Sequence, residues 1–238
     1  MQPNIFMPHY PTFISPKAQI SRDVQLAPNV VIYDNVSIGE GVRIGANTVI
    51  GAPPKTIGAT ASETGKVVIE RNTYISENCV IDAPIKHETY IGENVYIMPF
   101  VYIGHDTTIE KNVVITAGTK IGGYVHIGQF ANLGLNTCVH QFATIGDHAL
   151  TGMNSVINSD VPPFAKVYGS PARYRGINSV GLLRNDFNET DIALLKMRLD
   201  NFLNGNNAPQ QTDWEVTFSR FEEIRNRQLI KKSGDLSK

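Results

Sequence analysis

The 238-residue sequence predicts a mainly β protein: a parallel β-helix of hexapeptide repeats with a C-terminal α-helical tail. Two observations support this prediction. Aliphatic residues recur at every sixth position, and 21 of the 25 Ile lie before residue 160 while eight of the 12 Leu lie after residue 180. Because β-branched residues favour strands and Leu favours helices, the chain divides into two parts. We expect the β-helix over 1–160, a connecting segment over 161–178 and a helical domain over 179–238.

The six-residue period is almost unbroken. Of 22 positions that continue it, 21 are aliphatic and one, Thr151, is polar. The aliphatic positions are Ile14, Ile20, Leu26, Ile32, Ile38, Ile44, Ile50, Ile69, Ile75, Ile81, Ile91, Ile97, Ile103, Ile109, Ile115, Ile121, Ile127, Leu133, Val139, Ile145 and Ile157. Three hexads make one triangular coil, and stacked coils bury these residues in continuous columns. The repeat predicts roughly seven coils, about 35 Å tall at the usual strand spacing.

A glycine often follows the aliphatic residue, as at Gly92 and Gly104. We expect these glycines to supply the backbone conformation that a tight corner needs.

Two interruptions break the period. Ile50 and Ile69 lie 19 residues apart where one coil would need 18, and the intervening segment contains Pro53 and Pro54. A second interruption adds four residues over 82–90. Insertions in solenoids often line a binding face, and a solvated loop is an equally good interpretation of the first one. We expect His87, in the second, to be solvated.

The tail has two helical patterns. Apolar residues at helical spacing predict a helix over 188–204. They are Ile192, Leu195, Leu199 and Phe202. Thr212 with Glu215 forms a capping-box pattern for a second helix, which an apolar stripe is expected to extend to Lys231. We expect both stripes to pack against the β-helix or a neighbouring subunit rather than to form a cofactor site.

Composition argues against several classes of function. The net charge of −1 shows no excess of basic residues that would favour binding to nucleic acid. The sequence contains no run of 18 apolar residues, so we expect no membrane-spanning helix. Cys79 and Cys138 do not suggest a disulfide framework, and the N-terminus does not resemble a secretory signal, so we expect a cytoplasmic protein. The six histidines lack the close spacing of a zinc site, so no metal is expected and a metal-dependent hydratase is a minor alternative.

His105 is the main candidate for chemistry. It follows the core residue Ile103 by two positions, so its side chain should point outward. Asp106 follows it, and one coil later the same column holds Gly123, whose missing side chain would leave room for a ligand. A histidine can take a proton from a hydroxyl or amine that attacks a thioester, while a carboxylate orients its ring. On geometry alone, a solvated surface histidine is the more frequent alternative.

Four short segments carry a resemblance to a known family. They are Ile103-Gly104-His105-Asp106, His140-Gln141-Phe142, Asp160-Val161-Pro162-Pro163, and residues 176–187. Together and in their spacing they resemble the UDP-N-acetylglucosamine acyltransferase of lipid A biosynthesis, a left-handed β-helix. The resemblance implies a homotrimer with no bound cofactor that moves an acyl chain from acyl carrier protein to a nucleotide sugar. His105 would be the general base and Asp106 its support.

The same resemblance implies two regions of substrate contact. His140 and Gln141 would lie at the substrate groove between subunits, and Asn178 and Arg184 near the nucleotide. The Gln-Asp-Leu-Lys-Tyr stretch usual after Gly-Ala-Pro is missing, and Lys55 is the residue that would replace its lysine. A related nucleotide-linked amino sugar is therefore another plausible acceptor.

Other features point to alternatives. The segment Gly169-Ser170-Pro171-Ala172-Arg173 resembles one common in CoA-dependent sugar acetyltransferases, so acyl-CoA is a second possible donor and N-acetylation a second possible reaction. Met153 lies where the family accommodates the far end of the acyl chain, and its bulk would shorten the permitted chain. From another class, a non-catalytic hexapeptide scaffold also fits the repeat.

Overall fold

The computed structural model describes residues 12–206 and 214–232. The strands of the repeat are β1 Phe13–Ile14, β2 Gln19–Ile20, β3 Gln25–Leu26, β4 Val31–Ile32, β5 Val36–Ile38, β6 Arg43–Ile44, β7 Val49–Ala52, β8 Lys66–Ile69, β9 Tyr74–Ile75, β10 Val80–Asp82, β11 Glu88–Ile91, β12 Tyr96–Ile97, β13 Tyr102–Ile103, β14 Thr108–Ile109, β15 Val114–Ile115, β16 Lys120–Ile121, β17 His126–Ile127, β18 Asn132–Leu133, β19 Cys138–Val139, β20 Thr144–Ile145, β21 Leu150–Thr151 and β22 Val156–Ile157. The tail contains β23 Ala165–Gly169, β24 Ala172–Ile177, α1 Ser179–Leu183, α2 Glu189–Leu203 and α3 Glu215–Ile224.

Each of the 22 periodic positions lies in one of the strands β1 to β22, which confirms the β-helix. The first sheet runs from β1 through β22, the second from β2 through β20, and the third from β3 through β21, with every third strand joining the same sheet. Pairing within the repeat is parallel and joins residues 18 apart where the coil is uninterrupted, as in Val31 with Val49. Across the interruptions the partners are 22 or 31 residues apart, as in Val80 with Tyr102 and Val36 with Val67. The periodic residues of the middle coils, such as Ile81 and Ile103, are completely buried. With three strands to a coil, the 22 strands of the repeat make about seven coils.

Apart from Gly51, whose φ is 78°, the glycines after the core residues do not adopt the left-handed conformation expected of them. The left-handed backbone conformation at the corners is adopted instead by asparagines such as Asn94 and Asn112, and by a few aromatic residues. A Cβ on Gly92 or Gly104 would lie 2.7 Å from a backbone nitrogen of the next coil. These glycines are therefore required because adjacent coils approach closely, and the expectation that they turn the corners was wrong.

The first interruption is longer than the sequence suggested. Ile50 lies in the first sheet and Ile69 in the second, so they are separated by a single hexad step rather than by a coil. Their separation of 19 residues therefore contains 19 − 6 = 13 extra residues, not one. Consecutive prolines cannot donate to a strand ladder, which explains why the chain leaves the coil at Pro53 and Pro54. The second interruption contains the four extra residues predicted.

The tail begins as a hairpin and continues as helices. Strands β23 and β24 pair antiparallel and extend the third sheet beyond β21. Helix α2 has the predicted bounds within one residue, and Asn188 and Asp191 form a capping box at its start. Thr212, predicted to cap the second helix, lies outside the described residues.

Helix α3 ends at Ile224, so its predicted extension to Lys231 was wrong. The chain instead becomes extended and joins the end of the β-helix, where the Ile230 backbone N–H donates to the Asp160 carbonyl over 2.9 Å. The buried Asp160 carboxylate accepts the Arg227 backbone N–H. These hydrogen bonds take the place of the helical backbone hydrogen bonds that residues 225–232 do not form.

The apolar stripes of α2 and α3 pack into a core within the chain. This was one of the two arrangements expected, the other being packing against a neighbouring subunit. Its buried members are Leu195, Leu199, Phe202, Phe218 and Phe221. Arg220 of α3 forms ion pairs with Glu110 and Asp147, which follow strands β14 and β20 of the second sheet. These ion pairs fix the helical tail to the β-helix. Within 12–206 and 214–232, no helix is both long and apolar enough to cross a membrane.

Candidate active site

Three consecutive coils build one corner of the β-helix, between the first and second sheets. The first contributes the long excursion, residues 53–65, and the second the short excursion, residues 83–87. The third contributes a tight turn between β13 and β14 that carries His105 and Asp106. We call this group of residues the base corner. Because consecutive coils are stacked, both excursions lie close to the turn.

The Asp106 carboxylate is held by the short excursion. It accepts backbone N–H bonds from Ile85 (2.8 Å), Lys86 (3.0 Å) and His87 (2.7 Å). Burial acts to raise its pKa, but these donors, led by His87, together with the His105 ring hold the pKa of Asp106 below its usual value. The His87 side chain is exposed, as expected, while its backbone supports the site.

The His105 ring is fixed at both nitrogens. Nδ1 lies 2.9 Å from Oδ2 of Asp106, and Nε2 lies 3.1 Å from Oγ1 of Thr56 in the long excursion. An ionised carboxylate only accepts hydrogen bonds, so Nδ1 carries a proton, and in the neutral ring Nε2 presents its lone pair. The ring lies outside the core column, as predicted, but only 7% of the residue is exposed. The alternative of a freely solvated histidine was wrong.

Gly123 makes room for the imidazole itself. A Cβ at this position would lie 2.6 Å from both Cε1 and Nε2 of His105. Any larger residue would displace the ring, so the expectation that Gly123 leaves space for a ligand is corrected: the catalytic candidate fills that space. The neighbouring Tyr124 meets the ring edge-on, with centroids 5.0 Å apart.

A second polar group at the base corner was missed from the sequence. Asp82 is completely buried and accepts a hydrogen bond from the Tyr102 hydroxyl over 2.6 Å. It also accepts the backbone N–H of Lys55 (3.2 Å), whose Nζ lies 3.5 Å from Oδ1. Burial, and then the bond to Asp82, raise the pKa of Tyr102. The available signal was an aspartate directly after the core residue Ile81, where ten of the other 21 hexads have glycine.

His140 and Gln141 lie on the same corner, two coils beyond His105. Both are exposed. Nδ1 of His140 lies 3.0 Å from Nη1 of Arg227, which also donates to the Gln141 carbonyl over 2.9 Å. The extended tail thus covers part of this edge, and Arg227, like Thr56 and Asp82, is a residue that the sequence did not point to.

The other predicted residues lie elsewhere. Asn178 and Arg184 line a surface cavity of about 230 Å³ on the third sheet, which is opposite the base corner in a triangular coil. The Asn178 side chain donates to the His148 carbonyl (2.9 Å) and accepts the Gly181 N–H (3.2 Å), so it also fixes the start of α1. Met153 is exposed at the corner between the third and first sheets. Within one chain, therefore, Asn178, Arg184 and Met153 do not lie beside His105.

The described residues contain no group of three or more His, Cys, Asp or Glu side chains arranged to hold a metal ion.

Comparisons with known proteins agree with this architecture. Residues 17–52 and 88–123 match the bacterial transferase hexapeptide repeat, and residues 160–225 match domain 2 of UDP-N-acetylglucosamine O-acyltransferase. No curated protein sequence is significantly similar to the chain.

Solved structures of similar fold cover nearly the whole chain. A UDP-N-acetylglucosamine acyltransferase from Bacteroides fragilis is 24% identical with a TM-score of 0.83, covering 92% of this chain and 98% of its own. The enzyme from Francisella novicida is 25% identical with a TM-score of 0.78, covering 94% and 93%. The Arabidopsis enzyme is 22% identical with a TM-score of 0.72, covering 94% and 99%.

These matches confirm the left-handed parallel β-helix and indicate an acyltransferase of the hexapeptide-repeat class. Within that class, the chain resembles the UDP-N-acetylglucosamine acyltransferases, as its sequence motifs predicted.

Proposed function

We propose that the protein transfers an acyl group from acyl carrier protein, or from acyl-CoA, to a hydroxyl or amine of a nucleotide-activated sugar such as UDP-N-acetylglucosamine. The acyl thioester is the co-substrate, and the reaction needs no bound cofactor. The observation that carries the proposal is the state of His105: Asp106 holds the proton on Nδ1, so Nε2 is a base. A base at this position removes the proton of the acceptor as it attacks the thioester carbonyl.

The acceptor site extends from this base. Asp82, Lys55 and Tyr102 place a buried carboxylate, a cation and a hydroxyl beside His105, one on each of the three coils that build the base corner. A sugar presents several hydroxyls, and such polar groups recognise them by hydrogen bonds. Lys55 therefore takes the place of the lysine that the family has in this region. His140 and Gln141 contact the substrate further along the corner.

A homotrimer completes the site. The base corner and the cavity of Asn178 and Arg184 lie on opposite sides of the coil, so a substrate that reaches both must lie between two subunits. Closed three-fold packing of a triangular rod places a corner of one copy beside a face of the next. Arg184 is exposed and offers a positive charge for a nucleotide phosphate.

The acyl chain follows the corner between the third and first sheets, where Met153 lies. Met153 has 66% of its surface exposed, so it is available to meet the end of the acyl chain. We expect donors with short chains to be preferred and Met153→Gly to admit longer ones. If the wild type uses long and short donors equally and this variant changes nothing, Met153 does not select the chain.

The setting is proposed to be the cytoplasm. Cys79 and Cys138 are both free, in keeping with a reducing compartment.

Two alternatives differ in product or in class. The first is a CoA-dependent N-acetyltransferase of a nucleotide-linked amino sugar, favoured by the Gly169–Arg173 segment, which forms the tip of the β23–β24 hairpin. The second is a non-catalytic hexapeptide scaffold. The polar network at the base corner favours an enzyme, because a scaffold has no need for a histidine with an oriented lone pair.

The experiment is mass spectrometry of the products formed from a panel of nucleotide sugars, each offered with acyl carrier protein thioesters and with acyl-CoA. An O-acylated or N-acylated sugar nucleotide supports the proposal, and a product that is only N-acetylated, and only with acetyl-CoA as donor, supports the first alternative. No product with any pair of substrates would leave the scaffold as the better description.

A further inference from the structure

The guanidinium of Arg227 lies on the corner that carries His140 and Gln141. Its Nη1 lies 3.0 Å from Nδ1 of His140 and 2.9 Å from the carbonyl oxygen of Gln141. Its Nε donates to the Asn158 carbonyl over 3.0 Å, one coil further along the same corner. One side chain of the tail is therefore bonded to two consecutive coils.

These contacts decide which nitrogen of His140 carries the ring proton. A guanidinium has five N–H donors and no acceptor, so Nδ1 of His140 can only accept from Nη1 of Arg227. The Gln141 carbonyl lies 3.0 Å from the same Nδ1 and would otherwise take a hydrogen from it. Because Nη1 has one hydrogen for each of these two acceptors, both are satisfied without a proton on Nδ1. In the neutral ring the proton is therefore on Nε2.

Nε2 of His140 is available to a substrate. The side chain is exposed, and within 12–206 and 214–232 this nitrogen forms no hydrogen bond. His105 has the opposite arrangement, because Nδ1 of its ring donates to Asp106. Two neutral histidines on one corner thus present different groups: His105 presents a lone pair and His140 presents an N–H.

The backbone of the tail fixes the position of Arg227. Its N–H donates to the carboxylate of Asp160, which is completely buried and also accepts the Thr144 N–H over 2.7 Å. The Ile230 N–H donates to the Asp160 carbonyl over 2.9 Å. The guanidinium is therefore held from both its backbone and its Nε, and it reaches His140 from a fixed point at the end of the β-helix.

We propose that Arg227 is a positioning residue of the acyl transfer, which acts through His140. By keeping the ring proton on Nε2, it makes His140 a hydrogen-bond donor to an oxygen of the nucleotide sugar that carries no hydrogen, such as a carbonyl or phosphate oxygen. A donor at this position binds the substrate and leaves the removal of a proton to His105. The inference rests on the proposed function, but its first part, the location of the proton on His140, can be measured without any substrate.

The location of the proton is tested by NMR of the full-length protein with ¹⁵N in its histidine rings. The ¹⁵N shifts of a neutral imidazole show which nitrogen is protonated, and His140→Gln identifies the signals of this residue. At about pH 8.5, where imidazoles are ordinarily neutral, we expect the Nε2–H form in the wild type. In Arg227→Met, Nδ1 loses its donor and is left beside the Gln141 carbonyl, so we expect the Nδ1–H form.

Two further variants separate the charge of Arg227 from general effects of substitution. Arg227→Lys keeps a cation with three donors and no acceptor, so we expect it to retain the Nε2–H form. Arg71→Met removes an exposed arginine that pairs with Glu93 at the corner between the second and third sheets, and it should leave His140 unchanged. The Nδ1–H form in the wild type, or the same form in the wild type and Arg227→Met, would overturn the inference.

Kinetics connect this proton to acyl transfer, with the donor and acceptor found by product analysis. A hydrogen bond to the bound substrate contributes to binding, so Arg227→Met should raise KM for the sugar nucleotide about threefold to tenfold with kcat nearly unchanged. Arg227→Lys and Arg71→Met should keep the wild-type KM. A wild-type KM in Arg227→Met, or a loss confined to kcat, would refute the role of His140 as a donor.

The variant His105→Ala separates failure of this inference from failure of the proposed function. If His105→Ala loses transfer while Arg227→Met keeps the wild-type KM, the proposed function stands and this inference alone fails. If His105→Ala transfers at the wild-type rate, the proposed function fails and the role of Arg227 in it fails with it.

Discussion

Nδ1 of His105 lies 2.9 Å from Oδ2 of Asp106, although the two residues are adjacent in sequence. This contact is possible because Asp106 adopts a left-handed backbone conformation, with φ of 55°. The same conformation turns the corner at asparagines in other coils. Asp106 therefore occupies a corner position that recurs in every coil, and there its carboxylate supports the His105 base.

Asp106→Asn should reduce acyl transfer about 100-fold or more, by the usual contribution of a positioned general base. Both carboxylate oxygens accept N–H bonds, and an amide has only one oxygen, so its NH₂ group would face a donor. The measurement is kcat/KM for the variant. Asp186→Asn is the control, because Asp186 is exposed and also has a positive φ. An equal loss of kcat/KM in Asp186→Asn would contradict a specific role for Asp106 in supporting the base.

The difference in stability between the wild type and Asp106→Asn should depend on pH. The pKa of Asp106 is lower in the folded state, so its carboxylate stabilises the fold at pH values above the ordinary carboxyl pKa of about 4. That advantage is lost as the pH falls through the lower, folded pKa. Urea unfolding should therefore show a gap between wild type and Asp106→Asn at neutral pH that narrows in acid; a gap that widens in acid would contradict this account.

Gly123→Ala should impair activity more than folding. The new Cβ would lie 2.6 Å from the His105 ring, which must then move away from Asp106 or Thr56. We expect a loss of activity of about 100-fold, with a cost in unfolding free energy of roughly 1–3 kcal/mol for overpacking. Gly152→Ala is the control, since its Cβ meets the half-exposed ring of Tyr168, which can turn toward solvent. Equal activity in both variants would show that the ring position is unimportant.

His148→Phe should stabilise the protein in mild acid. Burial lowers the pKa of His148 to about 4, and its ring is stacked between Phe130 and Phe164. Between this value and the usual histidine pKa of about 6.5, the unfolded state binds more protons than the folded state, so stability falls as the pH falls.

Phenylalanine already adopts the same left-handed conformation at positions 130 and 164, so the substitution fits the corner. Chemical unfolding at pH 7 and pH 5 should show a smaller loss of stability on acidification for His148→Phe than for wild type. The control is His87→Phe, because the His87 side chain is exposed. An unchanged slope in His148→Phe would mean that this ring is protonated as readily in the folded chain as in the unfolded one.

The repeat could be predicted from the sequence because every hexad satisfies the same constraint. An aliphatic residue must enter the column in each strand, so the period fixes the strands and their register, and even the polar Thr151 occupies its expected place. The interruptions obey no such constraint. The separation of Ile50 and Ile69 resembles one coil by coincidence, and only the pairing of strands shows that they lie in adjacent sheets.

The base corner was predictable in part. His105, Asp106 and Gly123 share a short stretch or a column, and their proximity follows from the coil. Thr56 and Asp82 reach the site through the path of the excursions and through side-chain contacts between coils, which hexad spacing does not encode. The end of α3 was misjudged for a similar reason, since hydrogen bonds to Asp160 stop the helix and the apolar stripe gives no sign of them.

The central claim is that Nε2 of His105 acts as the base for acyl transfer. The most direct measurement is kcat/KM of His105→Gln and His105→Ala with the acyl donor and sugar nucleotide identified by product analysis, beside His87→Ala, which removes an exposed histidine of the neighbouring excursion. The account predicts a loss of about 100-fold or more in both His105 variants, which cannot accept the proton, and an unchanged rate in His87→Ala. Transfer by either His105 variant within about twofold of the wild type would contradict it.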